Sequence, residues 1–226
     1  MKHAETVTFG GSGLNRAADH RSDTAQSTLW QTPGTRVTYL WRGKPLVTGD
    51  AQKTLASTDV THPLADGALP RIFLGLDADG MAMFAQDISD WTPPDLPDTL
   101  TKFLDPSEQV HPDLPKGARF AELRTIMTDL SPRDAELAAT ARGVLEWHRT
   151  HSFCANCGAK SELTMAGWQR DCATCGRHHF PRTDPVVIML ITRGNSVLVG
   201  RSPGWPDSEK TEMALKYLDY TMSPEG

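Results

Sequence analysis

The chain has 226 residues, with 23 Lys and Arg against 28 Asp and Glu and a formal net charge of −5. That length suits one to three small domains, and the acidic balance argues against nucleic acid or an anionic membrane as the main partner. Residues 1–21 interleave Lys2, Glu5, Arg16, Asp19 and Arg21 with Gly10, Gly11 and Gly13 rather than forming an apolar signal core, and no later stretch approaches a membrane span in length, so a soluble cytoplasmic protein is expected.

The first third reads as β-rich. Thr35–Trp41 is β-branched and aromatic, Arg42-Gly43-Lys44-Pro45 has turn composition, and Leu46-Val47-Thr48 can return as a partner strand. A second hairpin is predicted from Arg71–Leu76 and Met81–Ala85 around Asp77-Ala78-Asp79-Gly80. Asp77 and Asp79 read as turn residues, because the rest of a calcium-loop ligand series is missing. Pro93, Pro94, Pro97, Pro106, Pro112 and Pro115 then mark an irregular, surface-running connection.

Ser131-Pro132-Arg133-Asp134 opens a helix, with Ser as N-cap, Pro at the first helical position and an acid at the third. Leu137, Ala141, Val144, Leu145 and His148 fall on one face, so the helix is expected to pack between the β-rich domain and the cysteine-bearing segment after it.

That segment carries two cysteine pairs, Cys154-Ala-Asn-Cys157 and Cys172-Ala-Thr-Cys175, which are all the cysteines in the chain. Two such knuckles facing each other supply the four thiolates that tetrahedral Zn²⁺ prefers, with room for one hairpin between them. Four protein ligands leave no open coordination position, so the metal is read as structural. Redox pairs or a disulfide are the alternatives; a redox pair normally occurs once, ahead of a helix, whereas both pairs here precede glycine, Gly158 and Gly176. His148, His151, His178 and His179 lie close by but are expected at a helix end or core edge rather than on the metal. Beyond them, Val186–Ile191 and Ser196–Arg201 read as strands around an Arg193-Gly194-Asn195 turn, the start of a third fold.

Together these residues carry a resemblance. The run Leu145-Glu146-Trp147-His148, His151-x-Phe153-Cys154-x-x-Cys157-Gly158, Gly167-Trp168 before Cys172-x-x-Cys175-Gly176, and Phe180-Pro181-Arg182-x-Asp184-Pro185-Val186 resembles the NADH pyrophosphatase branch of the Nudix hydrolases. The likeness is specific from about Arg124 to Arg201 and looser before it. It implies an N-terminal Nudix-like domain, a zinc ribbon and a catalytic Nudix domain that uses Mg²⁺ or Mn²⁺ to cleave NADH or NAD⁺ into a nicotinamide mononucleotide and AMP, usually as a homodimer.

The chain departs from that pattern after Arg201. The Nudix box, Gly-x5-Glu-x7-Arg-Glu-U-x-Glu-Glu-x-Gly-U, clusters carboxylates so that a divalent metal can organise diphosphate and water. No match to it occurs; the tail offers Glu209, Glu212 and Glu225, and Glu209–Leu218 reads as a short polar helix. A truncation, a frameshift, an artificial boundary or a catalytically silent relative is the expected cause. By resemblance, Arg124 in Leu123-Arg124 and Phe180, where relatives often carry Tyr, are the substrate-binding candidates, since Arg pairs with phosphate and an aromatic face stacks on a base. The alternative for Phe180 is packing against the ribbon. Some relatives place a contacting Glu where this chain has Gly167.

The reading is therefore an α+β chain: 1–130 an N-terminal Nudix-like β-rich domain, 131–152 a connecting helix, 153–181 the zinc ribbon on Cys154, Cys157, Cys172 and Cys175, and 182–226 the first strands of an incomplete Nudix domain. It belongs by resemblance with NAD(H) diphosphatases, with no catalytic residues and hydrolysis not expected. The competing class is a non-enzymatic zinc-ribbon adaptor. Arg142, Arg149, Lys160, Arg170, Arg177 and Arg182 surround the ribbon but mix with Glu146, Glu162 and Asp171, which reads as solvated surface.

Overall fold

The computed structural model describes residues 8–11, 13–67, 70–96, 99, 105–182 and 191–197. The chain divides into two compact units, Met1–Pro181 and Arg182–Gly226.

In the first unit, α1 (Asp23–Gln31) is capped by Ser22, whose Oγ accepts from Ala25 N at 3.4 Å. After it come β1 (Arg36–Trp41), β2 (Lys44–Thr48), β3 (Thr54–Leu55), β4 (Thr58–Asp59), α2 (Pro63–Gly67), β5 (Arg71–Leu76), β6 (Ala82–Asp87), β7 (Arg119–Phe120), α3 (Leu123–Ile126) and α4 (Pro132–Thr150). β8 (Glu162–Thr164), β9 (Gln169–Asp171) and β10 (His178–His179) complete it. The large sheet has seven strands in the order β3-β2-β1-β6-β5, with β4 also on β1 and β7 on β2. Among the described residues, the β1–β6 pairing of this sheet is parallel and its other pairings are antiparallel.

The β1–β2 reversal is tighter than the sequence reading. Trp41 pairs with Lys44, so the loop is Arg42-Gly43 alone, with φ of 49° and 78°. Positive φ at both loop positions suits the right-handed twist of the flanking strands. Lys44 and Pro45 therefore belong to β2, and the Pro45 carbonyl accepts from Ala121 N at 3.2 Å. The second hairpin closes as expected. Asp77 Oδ1 accepts from Asp79 N at 3.0 Å and Met81 N at 2.9 Å, so this carboxylate is committed to the turn.

Side-chain alternation divides the sheet between two cores. Val37, Tyr39, Trp41, Phe73 and Phe84 face one way, onto Phe120 and the α1 residues Leu29 and Trp30. Leu40, Ile72, Leu74 and Ala85 face the other way, onto Leu137, Ala141, Val144 and Leu145 of α4. Burial on both faces explains why β1 is apolar along most of its length. Ser131 caps α4, its Oγ accepting from Asp134 N at 3.1 Å with Pro132 in the first turn. The buried arc of α4 is wider than one face, because Ala135 and Ala138 pack on a third cluster with Val47, Leu123 and Ile126.

In the second unit, β11 (Thr192–Arg193) and β12 (Ser196–Val197) form a hairpin around Gly194-Asn195, where the sequence placed a turn. Ile191 lies outside both strands. The remainder of the expected strands and the expected tail helix lie outside the described residues.

Candidate metal centre and its seat on the sheet

Each cysteine pair sits on a knuckle closed in the same way. Gly158 N donates to Cys154 O at 2.9 Å and Gly176 N to Cys172 O at 2.8 Å; Cys154 N bonds Ala159 O and Cys172 N bonds Arg177 O. The knuckles face each other, with Cys154 Sγ 3.6 Å from Cys175 Sγ and Cys157 Sγ 3.5 Å from Cys172 Sγ. All four sulfurs lie within 4.8 Å of one another. A tetrahedral site with Zn–S bonds of about 2.3 Å needs sulfurs about 3.8 Å apart, so the set fits zinc. A disulfide would need about 2.05 Å, and all four cysteines are free.

The electrostatics of the set agree. Backbone N–H groups lower the Cys154, Cys172 and Cys175 thiols. At Cys157 the hydrogen bond involving Ala159 acts in the same direction, but the facing sulfurs outweigh it and push the thiol up to about 12. A divalent cation removes that conflict, because it favours the thiolate form of every ligand. His179 Nε2 lies 3.2 Å from Cys154 Sγ, placing this histidine behind a sulfur rather than within the four-cysteine set.

The hairpin between the knuckles seats the ribbon on the sheet. Trp168 Nε1 donates to Phe73 O at 2.7 Å, and the Arg21 guanidinium carbon lies 4.4 Å from the Trp168 ring centroid. His148, in the last turn of α4, is buried in this joint: Nε2 lies 2.7 Å from Gly167 O and Nδ1 lies 3.0 Å from Arg170 Nη1. A carbonyl can only accept and a guanidinium only donate, so the ring is neutral with its proton on Nε2. Burial pushes its pKa down to about 4, against the opposing pull of the Gly167 carbonyl. Arg170, expected as solvated surface, is 7% exposed, and its other donors reach Ser161 Oγ at 2.9 Å and Ser161 O at 2.5 Å. The charge pattern around the ribbon concealed this because the burial comes from packing across the α4 interface.

Gly167 makes the closest approach. Its φ is +90°, and a Cβ there would fall 2.3 Å from Ile72 Cδ1 and 3.2 Å from Arg71 O. The structure thus accounts for glycine at the position where some relatives are expected to carry Glu. Of the other histidines, His178 Nδ1 pairs with Asp171 at 2.7 Å and His151 Nδ1 lies 2.8 Å from Thr150 Oγ1.

The two substrate candidates fall on separate elements. Arg124 is exposed on α3, whose N-cap Glu122 also binds Arg142 at 2.7 Å. Phe180 follows β10 and is 61% exposed.

A mixed sheet with a helix across one face and a four-cysteine ribbon docked beside it defines a zinc-ribbon protein of α+β architecture. The model of the NADH pyrophosphatase-like rudimentary NUDIX domain matches residues 34–147, and that of the NADH pyrophosphatase zinc ribbon domain matches residues 149–180. The chain belongs to the NADH pyrophosphatase-like NUDIX family. Similar proteins include the mitochondrial NAD(P)H pyrophosphatase NUDT13 of Homo sapiens, 34% identical over 99 residues, covering 44% of this chain and 28% of the relative. The NAD-capped RNA hydrolase NudC of Stutzerimonas stutzeri is 36% identical over 91 residues, 40% of this chain and 33% of the relative. The chloroplastic Nudix hydrolase 19 of Arabidopsis thaliana is 41% identical over 80 residues, 32% of this chain and 18% of the relative. The matches thus span a third or less of each relative's length.

Proposed function

We propose that this chain binds the NAD(H) type of dinucleotide through Arg124 and Phe180, holds a structural zinc on Cys154, Cys157, Cys172 and Cys175, and does not hydrolyse the pyrophosphate. The observation that carries the reading is a complete four-sulfur ribbon in a sequence with no Nudix box. Zinc bound there would hold the two knuckles together and couple metal binding to folding. With four sulfur ligands, it has no position left for water.

The described residues do not fit a catalytic Mg²⁺ or Mn²⁺. Among the described residues the cysteines form the one cluster of three or more candidate ligands, and sulfur is a poor match for those hard cations. Glu209, Glu212 and Glu225 lack the spacing of the box and lie outside the described residues.

The exposure of Arg124 and Phe180 to solvent supports their proposed roles. The names of the NudC relatives extend the candidate ligand to an NAD moiety on RNA. With a net charge of −5, the dinucleotide rather than the RNA body is the proposed determinant. No helix among the described residues is long and apolar enough to cross a membrane. A cytoplasmic address and a homodimer are part of the proposal.

Equilibrium dialysis of NADH against the zinc-loaded chain tests the reading. Arg124→Ala and Phe180→Ala should each weaken binding by about tenfold or more, the scale of a lost charge-assisted hydrogen bond or stacking contact. Unchanged affinity in both variants would overturn it. Steeply salt-dependent binding of an uncapped oligonucleotide would favour the adaptor instead.

A further inference from the structure

Successive side chains on a strand point to opposite faces, and the two histidines of β10 show it. His178 turns outward and pairs with Asp171, the residue opposite it on β9. His179, opposite Arg170, turns towards the cysteines, where its Nε2 lies 3.2 Å from Cys154 Sγ. The contact links the strand that follows the second knuckle to the first cysteine of the first knuckle, 25 residues earlier.

The sulfur fixes the direction of this hydrogen bond. A metal-bound thiolate carries no proton and can only accept, so the His179 Nε2–H is the donor. Asn156 N donates to the same sulfur at 3.4 Å. Among the described residues no other side chain donates to the set: the sulfurs of Cys157, Cys172 and Cys175 meet backbone N–H groups and one another. Four thiolates around one divalent cation leave an excess of negative charge, and Cys154, 3% exposed, has little water to screen its share. Charge in such a place is tolerated when donors face it.

We propose that His179 is a positioning residue of the metal centre, whose Nε2–H holds the Cys154 thiolate in place for the zinc and ties the two knuckles together through that sulfur. This role rests on the structural zinc proposed above. A hydrogen bond from outside the ligand set orients the ligand and draws off part of its charge, and loss of such a partner typically costs about 10–100-fold in metal affinity.

Competition of the zinc-loaded full chain against a chromophoric chelator measures the affinity, and the thiolate-to-metal charge-transfer band of the Co²⁺-loaded chain reports on the sulfurs themselves. His179→Phe keeps a ring and removes the donor; it should hold zinc about 10–100-fold less tightly and shift the band. His179→Gln, whose side-chain amide can donate, should recover most of the affinity and the parent band. A His179→Phe chain with the parent's affinity and band, or a His179→Gln chain as weak as His179→Phe, would overturn the proposal. If His179→Phe does not fold, the parent chain decides: NMR of its Cd²⁺-loaded form should show a scalar coupling between the metal and the His179 Nε2 proton, and absence of that coupling would overturn the proposal. A parent chain that takes up no metal would overturn the zinc reading as well, whereas tight metal binding indifferent to His179 defeats the positioning role alone.

Discussion

Gly167→Ala should loosen the joint between ribbon and sheet, and the structure sets the scale. The backbone at Gly167 has φ +90°, and the new methyl carbon would lie 2.3 Å from Ile72 Cδ1, an atom of a fully buried side chain. Backbone strain and overpacking each cost about 1–3 kcal/mol, so the expected loss is about 2–6 kcal/mol. Against a total stability of roughly 5–15 kcal/mol this is a large fraction. Urea denaturation followed by tryptophan fluorescence reads it, since Trp168 is adjacent and hydrogen-bonded to Phe73 O. Ile72→Val separates the two causes by removing the colliding atom. Alone it should cost about 0.5–1.5 kcal/mol, but combined with Gly167→Ala it should recover part of the loss. A Gly167→Ala protein as stable as the parent, or strict additivity in the double variant, would refute the close-approach account.

Ser131→Ala should destabilise the protein by about 0.5–2 kcal/mol through loss of the acceptor for Asp134 N, and an unchanged denaturation midpoint would contradict the cap. Cys172→Ser should lose zinc and unfold the ribbon, because metal binding is folding free energy in such sites; elemental analysis showing one retained zinc would count against it. His148 should make stability fall with acidification. Its folded pKa of about 4 lies below the ordinary histidine value of 6.5, so the unfolded chain binds more protons between these limits; the contribution is complete above about pH 6.5 and is lost as pH falls towards 4. His148→Gln, which can still donate to Gly167 O and accept from Arg170, should flatten that profile.

Local chemistry made much of the fold legible. The Ser131-Pro132 start of α4, the Asp77 turn and the doubled cysteine spacing depend on groups a few residues apart, and each appears in the structure as read. Contacts between distant segments were not legible in this way. The bridge of Asn15 to Leu76 adds an N-terminal segment to β5, and β7 joins β2 through only two residue pairs, too few to leave a strand pattern. The helix α1 carried one missed signal, Ser22 preceding an acidic first turn. At the ribbon, the ligand set was readable because all four members lie on two knuckles. The helical spacing put His148 on the packing face of α4, but the burial of Arg170 was not legible, because it arises where α4, β8 and β9 meet. Gly167 had the appearance of a lost polar contact until the proximity of Ile72 supplied a steric reason for it.

The most direct test of binding without hydrolysis is to incubate the zinc-loaded chain with NADH and Mn²⁺ and follow AMP by chromatography, with a full-length relative as positive control. The account predicts that NADH is bound and recovered intact, because the sequence carries no Nudix box and so lacks its clustered carboxylates to organise a metal, the diphosphate and water. AMP formation at a rate comparable to the control, retained through repurification, would contradict it.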